Sequence, residues 1–310
     1  MRPPRLANKV KLLLRGRFPL AVAMAAGLTP ICLGQRAATE EAAWAAFTQS
    51  TKPEATVRYI PTGTENQELD IFSPPAAQKS GKPRPVLILV HGGGWSGGSR
   101  DALAPHARYF AARGWVCVNI SYRLTSVPGI TLAEAQQDVR AAFDWVRSEA
   151  GKRGWDPNRI SALGESAGGQ LACALGVLPP EPKRWRAHSL VLVNPVLDLT
   201  TLNWALNTPG LREAGPVDPA TAAQHPAGLV SPIFHLTREA PPILLLHGRK
   251  DVSVPIAQAE AFAARAKSVG AVVELVVLEN SAHAFLLREY GNPVDMRAAL
   301  QRIAQFLGEP

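Results

Sequence analysis

Three cysteines among 310 residues are too few to staple a fold, which removes the disulfide-framed mini-proteins. There is no Cys-x-x-Cys, no His-Glu-x-x-His and no Walker loop, so the usual zinc, metalloprotease and phosphate-cradle motifs are missing. No metal and no cofactor is expected. Fixed-period repeats and low-complexity tracts are missing too, which excludes solenoids and fibrous arrays. Charged residues make up 19% of the chain against 46% hydrophobic ones. That balance excludes a disordered chain, and the length is ample for a sizeable core.

The formal charge of +8 invites a nucleic-acid or membrane partner, but its distribution argues otherwise. Six basic residues (Arg2, Arg5, Lys9, Lys11, Arg15, Arg17) fall in residues 1–34, which hold no acid; the remainder carries 27 basic against 25 acidic residues, or +2. No basic stripe is left to track a phosphate backbone, so no nucleic-acid partner is expected.

The N-terminus has the three-part pattern of a secretory signal: a basic stretch to Arg17, an apolar one from Phe18 to Leu28, then small residues near Gly34 and Ala37. A signal peptide over residues 1–34 and export to the periplasm or beyond are therefore expected. The uncharged run from Phe18 to Gln35 is 18 residues long and contains two prolines. A spanning helix wants about 20 strongly apolar residues, so no stable membrane insertion of the mature chain is expected. The alternative is an amphipathic arm lying on the surface.

From about residue 56, short apolar runs alternate with helical patterns. The runs are Val57–Ile60, Glu68–Phe72, Pro85–Val90, Trp115–Leu124, Ile160–Leu163, Ser189–Val193, Pro242–Leu246 and Val272–Leu278. Their continuity, in place of strict alternation, predicts strands covered on both faces. Between them, Thr131 and Glu134 form a capping box ahead of Leu132, Ala135, Val139, Phe143 and Val146. Pro255 opens a further helix that Gly270 stops, and Leu300, Ile303, Ala304 and Leu307 line a terminal one. The fold class is α/β, a mostly parallel sheet with helices on both faces. Chemistry in such sheets sits on loops beyond the carboxyl ends of the strands.

Those loops hold three constellations. Gly164-Glu165-Ser166-Ala167-Gly168-Gly169 follows a strand and opens an apolar helix. This is the context of a nucleophile elbow, where small neighbours let the backbone pass close on either side of a strained serine. Serine needs a base. Of the seven histidines, His283 lies just past the strand ending at Leu278. An acid must orient it, and Asp251 lies just past Pro242–Leu246. The order Ser166, Asp251, His283 is the one this architecture uses. Asp198, also past a strand, is the rival acid. The third constellation is His91-Gly92-Gly93-Gly94-Trp95. Gly93, Gly94 and the N–H of Ala167 are the candidate oxyanion donors, with His91 as a structural residue of the loop. The same stretch matches Gly-x-Gly-x-x-Gly, but the following strand holds no acid for a ribose, which argues against a dinucleotide site.

Together His91–Trp95, Ser121-Tyr122-Arg123-Leu124, Gly164–Gly169, Asp251 and His283 resemble the α/β-hydrolase superfamily over about residues 66–307. More narrowly the chain resembles hormone-sensitive-lipase-like and carbohydrate-esterase-like carboxylesterases. It departs from the former at Ser121, where Asp is usual, and at Glu165, where Asp is common. The resemblance implies an α/β-hydrolase domain over residues 35–310 with a small cap at about 200–240. It implies a serine carboxylesterase acting through an acyl-enzyme on a small-molecule or carbohydrate ester, with secreted feruloyl and acetylxylan esterases as the nearer analogy. Arylformamidase-like or peptidase-like amide hydrolysis is the alternative on the same triad. A catalytically silent binding module is the alternative of another class. Residues 35–55, with Trp44 and Phe47, are expected to join the cap in shaping the pocket. Cys117 and Cys173 are expected as core thiols.

Overall fold

The computed structural model describes residues 30–49, 52–75, 81–178, 185–308 and 310. The chain divides into two units, residues 1–41 and 42–310. Of the first, residues 30–41 are described and are helical; the rest of the expected signal peptide lies outside the described residues. No described helix is long and apolar enough to cross a membrane.

The second unit is built on one eight-stranded sheet: β1 (Ala55–Arg58), β2 (Glu68–Phe72), β3 (Arg84–Val90), β4 (Val116–Ile120), β5 (Trp155–Glu165), β6 (Leu190–Val193), β7 (Ile243–Gly248) and β8 (Val273–Leu278). The spatial order is β1-β2-β4-β3-β5-β6-β7-β8. β1, β2 and β4 pair antiparallel; every pairing from β4·β3 onward is parallel. The main helices are α1 (Pro30–Thr48), α2 (Ala104–Ala112), α3 (Leu132–Arg153), α4 (Ala167–Val177), α5 (Ala257–Val269) and α6 (Pro293–Leu307).

The continuous apolar run of β3 is explained by its two faces. Val86, Ile88 and Val90 point one way, into a cluster with Ala135, Val139 and Phe143 of α3, Leu171 of α4 and Phe262 of α5. Leu87 and Leu89 point the other way, against Phe110 of α2 and Leu300 and Ile303 of α6. Successive side chains of a strand alternate between faces, so a doubly covered strand has no polar side to show. Fully burying one such side chain contributes roughly 1.5–3 kcal/mol.

Local signals set the element ends. The capping box at α3 is present: Glu134 accepts from the Thr131 N–H at 2.8 Å. Gly154 ends that helix and Gly270 ends α5 in left-handed conformation, where a side chain would be strained. β1 is displaced from the expected Val57–Ile60. Across the antiparallel pair, side chains link Thr56 to Asp70 (2.7 Å) and Arg58 to Glu68 (3.2 Å), while Tyr59, just past the strand, donates from its hydroxyl to the Ser121 carbonyl at 2.8 Å. β5 begins at Trp155, well before the expected Ile160; its first half carries polar, partly covered residues that an apolar run does not mark.

Residues 42–48 do not line the cavity that holds Ser166 and His283. Phe47 is buried with α2 and α6, stacked on Trp44 at 5.2 Å and edge-on to His106 at 5.2 Å. Cys117 and Cys173 are buried free thiols, as expected.

Candidate active site

β3, β5 and β6 end side by side. Val90 pairs with Gly164, and Glu165 pairs with Val193, so the glycine loop after β3 lies against the turn between β5 and α4. Ser166 occupies that turn at φ 55° and ψ −121°. Such a conformation costs a non-glycine residue on the order of 1–3 kcal/mol and persists only where its surroundings impose it. Here they do. The Ser166 N–H donates to the Val193 carbonyl at 2.9 Å, and its own carbonyl accepts from Gly169 at 2.9 Å. Gly168 lets β3 approach: a Cβ there would lie 2.2 Å from the carbonyl oxygens of both Val90 and His91.

His283, in the loop after β8, spans the other two groups. Its Nδ1 donates to Asp251 Oδ2 at 2.7 Å, and its Nε2 accepts from the Ser166 hydroxyl at 2.9 Å. Asp251 is buried in the loop after β7. Its Oδ1 accepts from the N–H groups of Ser253 (2.9 Å) and Val254 (2.8 Å). Burial pushes its carboxyl up, but the hydrogen bonds from His247, His283 and Val254 outweigh this and hold it down at about 2. For His283, burial alone would lower the pKa. The Asp251 hydrogen bond and charge, with the charge of Glu165, overcome it and raise the pKa above the ordinary value. Asp198 is elsewhere employed: its carboxylate caps Thr200 at 2.9 Å.

In the glycine loop, the Gly93 carbonyl accepts from Ser96 (3.2 Å) and Gly97 (3.0 Å). Gly93 sits at φ 113°, and a Cβ on it would lie 2.2 Å from the Gly97 carbonyl oxygen, so the turn admits no side chain there. The N–H groups of Gly93 and Gly94 enter none of the loop's backbone hydrogen bonds. Ala167 opens α4, where a helix leaves its first N–H groups without intrahelical partners. His91 supports the loop from below. It is buried, bonded to the Gly92 carbonyl (2.7 Å) and stacked on Tyr122 (4.4 Å). Burial lowers its pKa to about 4, so it stays neutral.

A cavity of about 670 Å³ opens over these groups, lined by Gly93, Gly94, Ser166 and His283 and walled by Trp204, Leu287 and Tyr290. Trp204 comes from the segment expected as a cap, which is built of short helical turns between Leu199 and His235. The expected Ser166, His283, Gly93 and Gly94 thus line one cavity, with Asp251 buried behind His283.

Two further members have no signal in the sequence pattern beyond their neighbours. His247, the end of β7, donates from Nε2 to the Val254 carbonyl at 2.8 Å and lies 3.4 Å from Asp251 Oδ2. Only its spacing of four residues before Asp251 could have flagged it. Glu165 lines the cavity beside Ser166.

The model of the BD-FAE family matches residues 69–266. The probable carboxylic ester hydrolase LipM of Mycobacterium tuberculosis is 32% identical over 254 residues, covering 78% of this chain and 58% of its own. The esterase LipQ of the same organism is 35% identical over 279 residues, covering 81% and 61%. The chain therefore spans about three fifths of these curated relatives, 58% and 61%. Among solved structures, the apo form of Thermogutta terrifontis esterase 2 superposes with a TM-score of 0.70 at 30% identity, over 84% of this chain and 95% of that one. The same esterase phosphonylated by sarin superposes with a TM-score of 0.71 at 30% identity, over 83% and 95%.

Proposed function

The chain belongs to the BD-FAE family of α/β-hydrolases, and on that premise we propose that it is a serine carboxylesterase acting by two-step acyl transfer. The observation that carries this reading is His283 bridging Ser166 at 2.9 Å and Asp251 at 2.7 Å. That distance lies within reach of a proton transfer. His283 takes the Ser166 proton as the oxygen attacks the ester carbonyl. The tetrahedral oxyanion is held by the N–H groups of Gly93, Gly94 and Ala167. The imidazolium then returns its proton to the departing alcohol. A water repeats the sequence on the acyl-enzyme, releasing the acid and restoring Ser166. Ester and water alone balance every step. The buried Asp251 stays ionised throughout and stabilises the imidazolium.

The substrate is a small-molecule or carbohydrate ester, with acetyl and feruloyl groups as the leading acyl candidates. A cavity of about 670 Å³ accommodates either, and the flat faces of Trp204 and Tyr290 suit an aromatic or sugar ring. Similarity to Thermogutta terrifontis esterase 2 in its butyrate-bound form supports short acyl chains. The protein is exported through its N-terminal signal, a reading supported by the basic and apolar pattern of residues 1–34.

A panel of p-nitrophenyl esters of rising acyl length, acetylated xylan, feruloyl esters and N-formyl amides tests the reaction. Turnover of short-chain or feruloyl esters with Ser166-dependent burst kinetics is expected. Hydrolysis confined to the amides would overturn the esterase reading, and no turnover of any member would favour a silent module. The mass of the protein recovered from its native host, expected to begin between residues 35 and 39, tests export; an intact Met1 overturns it.

A further inference from the structure

One buried carboxyl lining the active-site cavity takes no part in acyl transfer as described. Glu165 is 3% exposed, precedes Ser166 and lines the same cavity. Its Oε1 is buried without a hydrogen-bond partner. Its Oε2 lies against the backbone of Gly92, where a Cβ would be 2.3 Å away, so the glycine makes room for the carboxyl. A desolvated carboxylate with an oxygen that has no hydrogen-bond partner is destabilised unless a charge compensates it.

The groups packed around it offer one candidate. From the loop after β3 comes His91, which is neutral. From the loop after β4 comes Tyr122, whose hydroxyl is pushed up by burial and by the charge of Glu165, and so is neutral too. Arg123 beside it is engaged with Asp138 at 2.8 Å. The loop after β7 brings Asp251, a second negative charge, and the loop after β8 brings His283. Among the described residues no lysine or arginine lines the cavity. The compensating cation within reach of Glu165 is therefore the His283 imidazolium, the form that acyl transfer generates.

We propose that Glu165 is a positioning residue for the reaction: its buried carboxylate acts through His283, stabilising the imidazolium formed when Ser166 gives up its proton. This rests on the reading of Ser166 and His283 as nucleophile and base. Burial pushes the Glu165 carboxyl up to about 7, with His283 opposing and Asp251 adding, and the charge of Glu165 in turn raises His283, so the two groups are coupled and their titration steps belong to the pair.

The test compares pH–rate profiles of the wild type, Glu165→Gln and Glu165→Asp by pH-stat on a short-chain ester. Removing the negative charge lowers the basicity of His283. In Glu165→Gln the acid limb of kcat/KM is expected to move to lower pH by about 0.5–1 unit, with a plateau lower by about tenfold. Glu165→Asp is expected to return the limb toward wild type. An acid limb that stays fixed in Glu165→Gln overturns the inference, whatever the plateau does. An NMR titration of His283 in the wild-type protein serves if the variants do not fold: two inflections are expected, and a single simple one overturns the coupling. Fluorophosphonate labelling of Ser166 separates the levels. A protein that labels but keeps its limb in Glu165→Gln loses this inference alone, whereas one that fails to label loses the triad reading and the inference with it.

Discussion

Trp204 stacks on Trp95, their ring centroids 5.5 Å apart and inclined by 29°. One ring belongs to the segment after β6 and the other to the glycine loop. Trp95 is fully buried and its Nε1 donates to Gln170 at 3.1 Å, so it is a fixed platform. Trp204 donates to the Ser253 carbonyl at 3.0 Å, two residues from Asp251. A single side chain thus ties the segment to the glycine loop and to the acid loop. Aromatic pairs of this kind contribute about 0.5–1.5 kcal/mol beyond their buried area. Trp204→Ala is expected to raise KM several-fold with a smaller change in kcat. Steady-state kinetics on two esters of different acyl size check this, and an unchanged KM for both would remove Trp204 from the substrate wall.

Ser166→Ala is expected to abolish fluorophosphonate labelling and esterase turnover while leaving thermal stability close to wild type. The serine hydroxyl bonds only to His283, and alanine is no more strained at φ 55° than serine is. Intact-mass spectrometry after labelling decides it. Stoichiometric labelling of the variant would place the nucleophile elsewhere.

Asp251→Asn is expected to lower kcat by about 10⁴, since the amide presents the wrong hydrogen-bonding partner to His283. The charge of Asp251 also raises the His283 pKa. Activity needs the neutral imidazole, so wild-type kcat/KM is expected to fall on the acid side at a pH above the ordinary histidine value. The residual activity of the variant is expected to keep its level to lower pH. Asp198→Asn is expected to be near wild type, because that carboxylate caps a turn. The reverse outcome for the two variants would mean that the wrong acid has been assigned.

What the sequence carried best was whatever depends on local chemistry. Apolar runs such as Pro85–Val90 marked strands because both faces of the sheet are covered, and Thr131 with Glu134 marked a helix start because capping involves neighbours only. The early part of β5 escaped notice because Asp156, Pro157 and Asn158 do not look like a buried strand. Phe47 was misplaced for a different reason: whether an aromatic faces a pocket or the sheet depends on tertiary packing, which no spacing rule encodes. In the site, Ser166, Asp251 and His283 could be named because each follows a strand end. His247 and Glu165 could not, because their importance lies in what they touch across the fold.

Gly168→Ala is expected to destabilise the protein strongly. The added Cβ would lie 2.2 Å from two backbone oxygens of the β3 end, and backbone cannot rotate aside as a side chain would. Overpacking typically costs about 1–3 kcal/mol, occasionally more. The same shift would move the glycine loop relative to Ser166, so activity is expected to fall further than stability accounts for. Thermal unfolding and kcat measured side by side check this; a stable and fully active variant would contradict the close approach of β3 to α4.

Glu165 makes stability depend on pH in a direction that can be worked out. Its carboxyl is raised from an ordinary 4.5 to about 7, burial being the largest cause. Between those values the folded protein holds a proton that the unfolded chain has released. Stability therefore falls as pH rises through this window, by at most about 1.4 kcal/mol per pH unit. His283 acts in the same sense: its raised pKa contributes stability below about 6.5 that is lost as pH rises through its folded value. Glu165→Gln removes the first contribution and weakens the second. Its melting temperature is expected to match wild type near pH 4.5 and to exceed it by several degrees at pH 8, where the buried charge is fully developed. Differential scanning fluorimetry from pH 4.5 to 8 reads the crossing directly. Parallel melting curves for the two proteins across that range would show that the carboxyl is not desolvated. A variant both more stable and slower at pH 8 would show a buried charge retained at the expense of the fold because the reaction uses it.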